Sequence, residues 1–242
     1  MLGKWELNKV HCEDSYKAIQ ELPSKSVDCI YTDIPYLYYQ GSVGNSELSK
    51  RMKKKKSELQ CISCGIDYEI LQEFVRVMKK INCFIWCSKL QILEIMKFFI
   101  EKQKCLFELL CWCKTNPSPT TNNSWLPNIE YCLYFRENGI KLNNGYQIKS
   151  KYYESGLNIE DKKKYKHPTI KPMPLVRQHL LHATQPNDII FDPFAGSGTT
   201  GVACQDIGRQ FIGFEIEQKW VKVANDRLQK VDSNGQIGLF AL

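Results

Sequence analysis

Two short stretches of this chain carry residue types that could do chemistry. The first is Asp33-Ile34-Pro35-Tyr36, following the apolar run Cys29-Ile30-Tyr31-Thr32. It offers a carboxylate, a rigid proline and an aromatic ring at the end of an expected strand. An amino group on a nucleobase is a poor nucleophile because its lone pair is delocalised into the ring. A carboxylate and a backbone carbonyl accepting its two N–H bonds would draw that pair back onto nitrogen. Pro35 would stiffen the loop, and Tyr36 could stack on an extruded base. Attack on an electrophilic methyl would follow, with positioning supplying much of the rate. Taken alone, the tetrapeptide is equally an ordinary strand-to-turn sequence.

The second stretch is Phe191-Asp192-Pro193-Phe194-Ala195-Gly196-Ser197-Gly198-Thr199-Thr200, a glycine turn between an apolar strand and a helix. Such a turn lets backbone press against a cofactor. The dinucleotide pattern Gly-x-Gly-x-x-Gly is met literally at Gly196, Gly198 and Gly201, so a nicotinamide oxidoreductase is one reading. A carboxylate just before the turn is awkward beside a pyrophosphate, and Asp192 suits a positively charged ligand better. S-adenosylmethionine supplies an ammonium and a sulfonium on an adenosine. Glu215 ends the next strand, 23 positions after Asp192, where a carboxylate can accept both ribose hydroxyl protons. Ser197 and Thr199 belong to the same turn. In His167-Pro168-Thr169-Ile170-Lys171-Pro172 two prolines bracket Thr169 and Lys171, a segment able to aim a hydroxyl and an ammonium at the cofactor's carboxylate. His167 has no carboxylate nearby in sequence and reads as structural. Asp14 could accept from the cofactor's adenine amino group, or cap the helix that begins at Ser15.

The elements that must position these residues alternate short apolar runs with helical patterns, the mark of an α/β fold with a mostly parallel sheet. Strands are expected at 9–12, 27–31, 81–87, 107–113, 129–135, 188–191 and 211–214, and helices at 15–21, 68–80, 90–102, 174–183, 199–207 and 217–229. The 242 residues, 43% of them hydrophobic, suffice for one sizeable core. We expect a single domain over 1–242, with no internal repeats. Within it, 37–66 reads as a mobile basic loop and 116–165 as a substrate-specific insertion. Lys50, Arg51, Lys53, Lys54, Lys55 and Lys56 put six cations in seven positions, and they would meet phosphates when a partner arrives. The formal charge of +7 points the same way. Eleven cysteines stand in a chain whose first residues carry no signal-peptide core and which has no run of transmembrane length. Reduced thiols in the cytoplasm, with no membrane association, are therefore expected. Cys61 and Cys64 have the spacing of half a zinc site but no second pair, so no metal is expected.

Across nearly its whole length the chain resembles the amino-methylating DNA methyltransferases of the β arrangement, in which the catalytic motif precedes the cofactor motif. The likeness runs through Asp14, Ser26-Val27-Asp28 with Asp33-Ile34-Pro35-Tyr36, Trp112-Cys113-Lys114-Thr115-Asn116, the 167–172 segment, Phe191–Thr200 and Phe211–Glu215. It implies a seven-stranded, doubly wound, Rossmann-like sheet with one antiparallel strand and a permuted motif order. It implies transfer of a methyl group from S-adenosylmethionine to a base amino group in DNA. By the same likeness Asp33, Pro35 and Tyr36 form the catalytic pocket. Thr169, Lys171, Asp192, Phe194, Gly196, Gly198 and Glu215 line the cofactor, Asp14 lies near its adenine, and 116–165 is the target-recognition segment. That segment is short, which suggests a short target or help from a second copy. No endonuclease motif is present, so cleavage in a restriction–modification system would need another chain.

The chain departs from the family's usual Asp-Pro-Pro-Tyr at Ile34. A backbone carbonyl at that position survives the change, whereas stiffness is lost. Asp at position 33 leans toward adenine N6. The competing readings are cytosine N4, RNA or a protein amide as acceptor, and a non-catalytic S-adenosylmethionine-binding module favoured only by Ile34.

Overall fold

The computed structural model describes residues 1–37, 65–117, 125–145, 149–157, 163–165 and 170–234, the last four without side chains. The strands are β1 (Lys9–Cys12), β2 (Cys29–Asp33), β3 (Asn82–Cys87), β4 (Leu106–Lys114), β5 (Ile129–Arg136), β6 (Tyr152–Ser155), β7 (Ile189–Asp192) and β8 (Gln210–Glu215). The helices are α1 (Ser15–Ala18), extended by a 3-10 turn, α2 (Ile70–Val77), α3 (Ile92–Met96), extended by a π-turn over Lys97–Lys102, α4 (Met173–Ala183), α5 (Thr199–Asp206) and α6 (Gln218–Asn234).

All eight strands form one sheet in the order β1-β8-β7-β2-β3-β5-β4-β6. Only β5 runs antiparallel to its neighbours, β3 and β4. The expected seven strands are all present, and β6 adds an eighth by pairing in parallel with β4. Tyr152-Tyr153-Glu154-Ser155 was not expected as a strand: it covers one edge of the sheet, so no face of it is fully buried and no apolar alternation marks it.

Strand periodicity builds the two cores. On β3, Cys83, Ile85 and Cys87 face one side with Ile30, Phe191 and Phe214, packed by α1, α2 and α3. Phe84 and Trp86 face the other side with Tyr31, Leu110 and Phe211, packed by α4, α5 and α6. The result is a helix–sheet–helix sandwich, in which each fully buried Phe or Leu contributes about 1.5–3 kcal/mol. Nine cysteines are described, all free thiols and six of them buried. No helix among the described residues is long and apolar enough to cross a membrane.

The topology also locates a crevice. From β2 the chain passes through α2 to β3, whereas from β7 it passes through α5 to β8 on the opposite side. β2 and β7 are neighbours, with Ile30 opposite Phe191, so the winding reverses between them. Open α/β sheets bind ligands at the carboxyl ends of strands at such a point. Asp33 ends β2 and Asp192 ends β7.

Candidate active site

The glycine-turn half is built from β7, β8 and the start of α5. Gly196 and Gly198 adopt positive φ values of 50° and 76°. A Cβ at Gly198 would lie 2.8 Å from the Ala224 Cβ, so α6 closes against the turn only where that side chain is missing. Asp192 is buried and fastens the turn: its Oδ1 accepts from the Phe194 amide at 3.1 Å and its Oδ2 from the Thr200 hydroxyl at 2.6 Å. Burial pushes its pKa up to about 7, against these hydrogen bonds. Glu215 accepts the Gly196 amide at 3.1 Å and the Glu217 amide at 2.8 Å, and burial raises its pKa.

Asp14 caps α1 by accepting the Tyr16 amide at 2.9 Å. Cys12 registers with Glu215, which sets Asp14 close to the end of β8. Ser15 donates to the Pro193 carbonyl and ties α1 to the turn, and the Tyr16 and Phe194 rings meet edge-on at 6.3 Å. Ser197 and Thr199 are engaged by a residue that the sequence did not single out. Arg227 of α6 donates to the Ser197 carbonyl at 2.7 Å, the Ser197 hydroxyl at 3.1 Å and the Thr199 hydroxyl at 3.1 Å.

The other half gathers around Asp33. Ile34 is fully buried in the core beneath β2, and its amide donates to the Trp86 carbonyl at 3.2 Å. The residue that departs from the family pattern is thus a packing residue. The turn is held from the side by Gln91, which donates to the Pro35 carbonyl at 2.9 Å and accepts the Leu37 amide at 3.2 Å. Lys171, expected to face a cofactor carboxylate, turns its ammonium to this cluster instead. It lies 2.6 Å from Asp33 Oδ2, 2.9 Å from Glu130 Oε2 and 3.2 Å from the Tyr36 hydroxyl. Its charge also sits 4.9 Å above the Trp86 ring. Trp86 is braced in turn, since its indole N–H donates to the Tyr31 hydroxyl at 3.0 Å and its ring stacks on His179. Burial holds the His179 pKa near 3, so that ring is a neutral packing element.

Lys114, at the end of β4, grips Glu130 Oε1 at 2.6 Å. Burial works against ionising Glu130, but Lys171 and Lys114 outweigh it and bring the pKa to about 2. Burial alone would lower the Lys171 pKa, and Asp33 and Glu130 reverse that into a rise. Burial raises Asp33, with Lys171 opposing. Asp33 keeps 29% of its side-chain surface exposed, yet its Oδ1 is shielded and has no hydrogen-bond partner in the structure.

The structure therefore brings Asp33, Tyr36 and Lys171 together, and Asp14, Asp192, Phe194, Gly196, Ser197, Gly198, Thr199 and Glu215 around the turn. Thr169, His167, the Cys61/Cys64 pair and the Lys50–Lys56 run lie outside the described residues. Glu130 and Arg227 were missed. Glu130 had a signal, a carboxylate inside the otherwise apolar strand Ile129–Phe135, whereas an Arg on an amphipathic helix reads as solvent-facing.

The donor set at the turn fits S-adenosylmethionine. Three carboxylates and an aromatic ring suit a cationic nucleoside, and Arg227, the cation described at the turn, is buried and engaged by Ser197 and Thr199. Each oxygen of Glu215 accepts one amide and keeps a lone pair for a ribose hydroxyl.

The sequence profile of the DNA methylase family matches residues 27–226. The chain is 31% identical over 239 residues to the Type II methyltransferase M2.LlaDCHI of Lactococcus lactis subsp. cremoris, covering 90% of this chain and 87% of that one. It is 30% identical to the Type II methyltransferase M2.DpnII of Streptococcus pneumoniae, covering 89% and 87%. The crystal structure of the M1.HpyAVI–SAM complex superposes with a TM-score of 0.66 at 28% identity, covering 91% of this chain and 98% of that chain. The cytosine-N4-specific PvuII DNA methyltransferase superposes at 0.67 with 14% identity, a likeness of fold alone, over 98% of each chain.

Proposed function

The chain belongs to the DNA methylase family and is an S-adenosylmethionine-dependent DNA methyltransferase; we propose that it methylates the N6 amino group of adenine, flipped out of duplex DNA. The observation that carries this reading is the unpartnered Oδ1 of Asp33, shielded at the winding reversal while Oδ2 is held by Lys171. A buried acceptor without a donor is costly unless a ligand supplies one, and an exocyclic amino group does so.

Asp33 Oδ1 accepts one N–H of that group and the Ile34 carbonyl the other, which returns the lone pair to nitrogen. Tyr36 stacks on the extruded base. S-adenosylmethionine supplies an electrophilic methyl on its sulfonium. Bound there, that methyl would pass to the amino nitrogen, which would then lose one proton. Asp33, hydrogen-bonded to that nitrogen, is placed to receive it. Pro35 and Gln91 keep the turn rigid, so the geometry is set before the base arrives.

On the cofactor side Glu215 takes the ribose hydroxyls and Asp14 the adenine amino group. The turn of Phe194, Gly196, Ser197, Gly198 and Thr199 presses on the nucleoside, with Thr169 toward the methionine end. The run Lys50–Lys56 contacts DNA phosphates, and 116–165 reads the target. The names of the relatives, Type II methyltransferases, support a place in the cytoplasm beside a separate restriction endonuclease. The short recognition segment supports action as a homodimer.

The test is methyl transfer from labelled S-adenosylmethionine to unmethylated duplex DNA, followed by digestion and mass identification of the nucleosides. The expected product is N6-methyladenine, absent with Asp33→Ala although cofactor binding persists by calorimetry. N4-methylcytosine, or no methylated base, would overturn the reading.

A further inference from the structure

We infer that Glu130 is a positioning residue for methyl transfer: together with Lys114 it fixes the Lys171 ammonium, and through Lys171 the orientation of Asp33. The inference rests on Asp33 being the acceptor for the target amino group.

A lysine has three N–H bonds. Those of Lys171 are taken by Asp33 Oδ2, Glu130 Oε2 and the Tyr36 hydroxyl, at 2.6, 2.9 and 3.2 Å. No N–H of the ammonium remains for a cofactor carboxylate in this arrangement.

The two oxygens of an aspartate exchange by rotation about a soft torsion. With Oδ2 pinned, Oδ1 acquires one fixed place, and that place has no other partner. The pin is only as firm as Lys171, a flexible side chain with four rotatable bonds. Glu130 removes that freedom by holding the ammonium from a second direction.

Glu130 is itself held. It stands at the start of β5, whose antiparallel run brings that start to the same end of the sheet as the ends of β3 and β4. Lys114 takes its other oxygen at 2.6 Å. The chain Lys114–Glu130–Lys171–Asp33 thus alternates in sign, with two cations and two anions. Its members keep 13%, 22%, 10% and 29% of their side-chain surfaces. Pairs this sheltered cannot lose one partner without stranding the other.

A double-mutant cycle on the full chain tests the inference. Steady-state kcat and KM are measured for wild type, Glu130→Gln, Lys171→Met and the double variant, with Glu130→Asp as the conservative change. Glu130→Gln is expected to lower kcat by about 10- to 100-fold, the scale of an ångström-sized misplacement. KM and calorimetric affinity for S-adenosylmethionine should stay within about twofold in that variant. Glu130→Asp should recover part of kcat. In the Lys171→Met background the Glu130→Gln change should cost nothing further, because its effect passes through Lys171. Additive losses, or an unchanged kcat in Glu130→Gln, would overturn the inference.

Carboxyl NMR on labelled protein reads the same network without turnover. Glu130 should remain ionised at pH 4 in wild type and take up its proton at higher pH in Lys171→Met. An ordinary carboxylate titration in wild type would overturn the inference even where a variant folds poorly. Wild type yielding no N6-methyladenine would instead defeat the assignment of Asp33, and the NMR arm would still decide whether the network exists.

Discussion

The two halves of the crevice hold their carboxylates by different means. At the glycine turn the carboxylates are satisfied by groups no more than 19 residues away in sequence. Asp192 takes the Phe194 amide and the Thr200 hydroxyl, Glu215 the Gly196 and Glu217 amides, and Asp14 the Tyr16 amide. At Asp33 the partner is an ammonium 138 residues away, itself shared with Glu130 of another strand. Backbone amides make a rigid cradle that shapes a binding surface. The Lys171 ammonium pins one oxygen of Asp33 and leaves the other without a partner. On the proposed function, one half binds the cofactor and the other aims at the base.

Breaking the aiming half should have the largest effect. Asp33→Ala removes the acceptor and strands Lys171, and we expect kcat to fall on the order of 10³-fold or more, the upper scale for losing one electrostatic contact to a reacting group. Steady-state kinetics measure this, and calorimetric binding of S-adenosylmethionine should survive. Equal loss of binding would erase the distinction between the halves.

Breaking the binding half should read out first as stability. Gly198→Val places a branched side chain at φ 76° and drives its Cβ into Ala224 of α6. Left-handed strain and overpacking together cost about 2–3 kcal/mol, or roughly 5–10 °C in Tm for a chain of this size. Thermal melting measures it, with cofactor affinity falling in parallel.

The smallest effect is a pH dependence at Asp192. Its folded pKa of about 7 lies above the unfolded value of about 3.9. The folded state therefore holds a proton that the unfolded state has released between those values. Stability from this group is complete below about pH 4 and falls as pH rises toward 7. Asp192→Asn cannot ionise, so its Tm should decline less than that of wild type between pH 5 and pH 7. Parallel declines would contradict the assignment.

The difference between the halves also explains what the sequence made legible. Asp192, Gly196, Gly198 and Glu215 declared themselves because a glycine turn and a strand-end acid are local patterns with a fixed spacing. The central strands β2, β3, β7 and β8 declared themselves because both of their faces are packed, leaving continuous apolar runs such as Cys83–Cys87, all of it buried. Lys171 stood out between its two prolines, but its direction was not legible: nothing near 171 in sequence says that Asp33 and Glu130 lie against it. Ile34 read as a loss of stiffness, whereas its side chain belongs to the core and Gln91 braces the turn. Arg227 left no signal, since its partners Ser197 and Thr199 meet it only after α6 has packed.

The most direct test is a structure of the chain bound to duplex DNA and a cofactor analogue lacking the transferable methyl group. The adenine N6 is expected within hydrogen-bond distance of Asp33 Oδ1 while Lys171 remains on Oδ2 and on Glu130. A Lys171 that has swung to the cofactor's carboxylate, with the base taking both oxygens of Asp33, would contradict it.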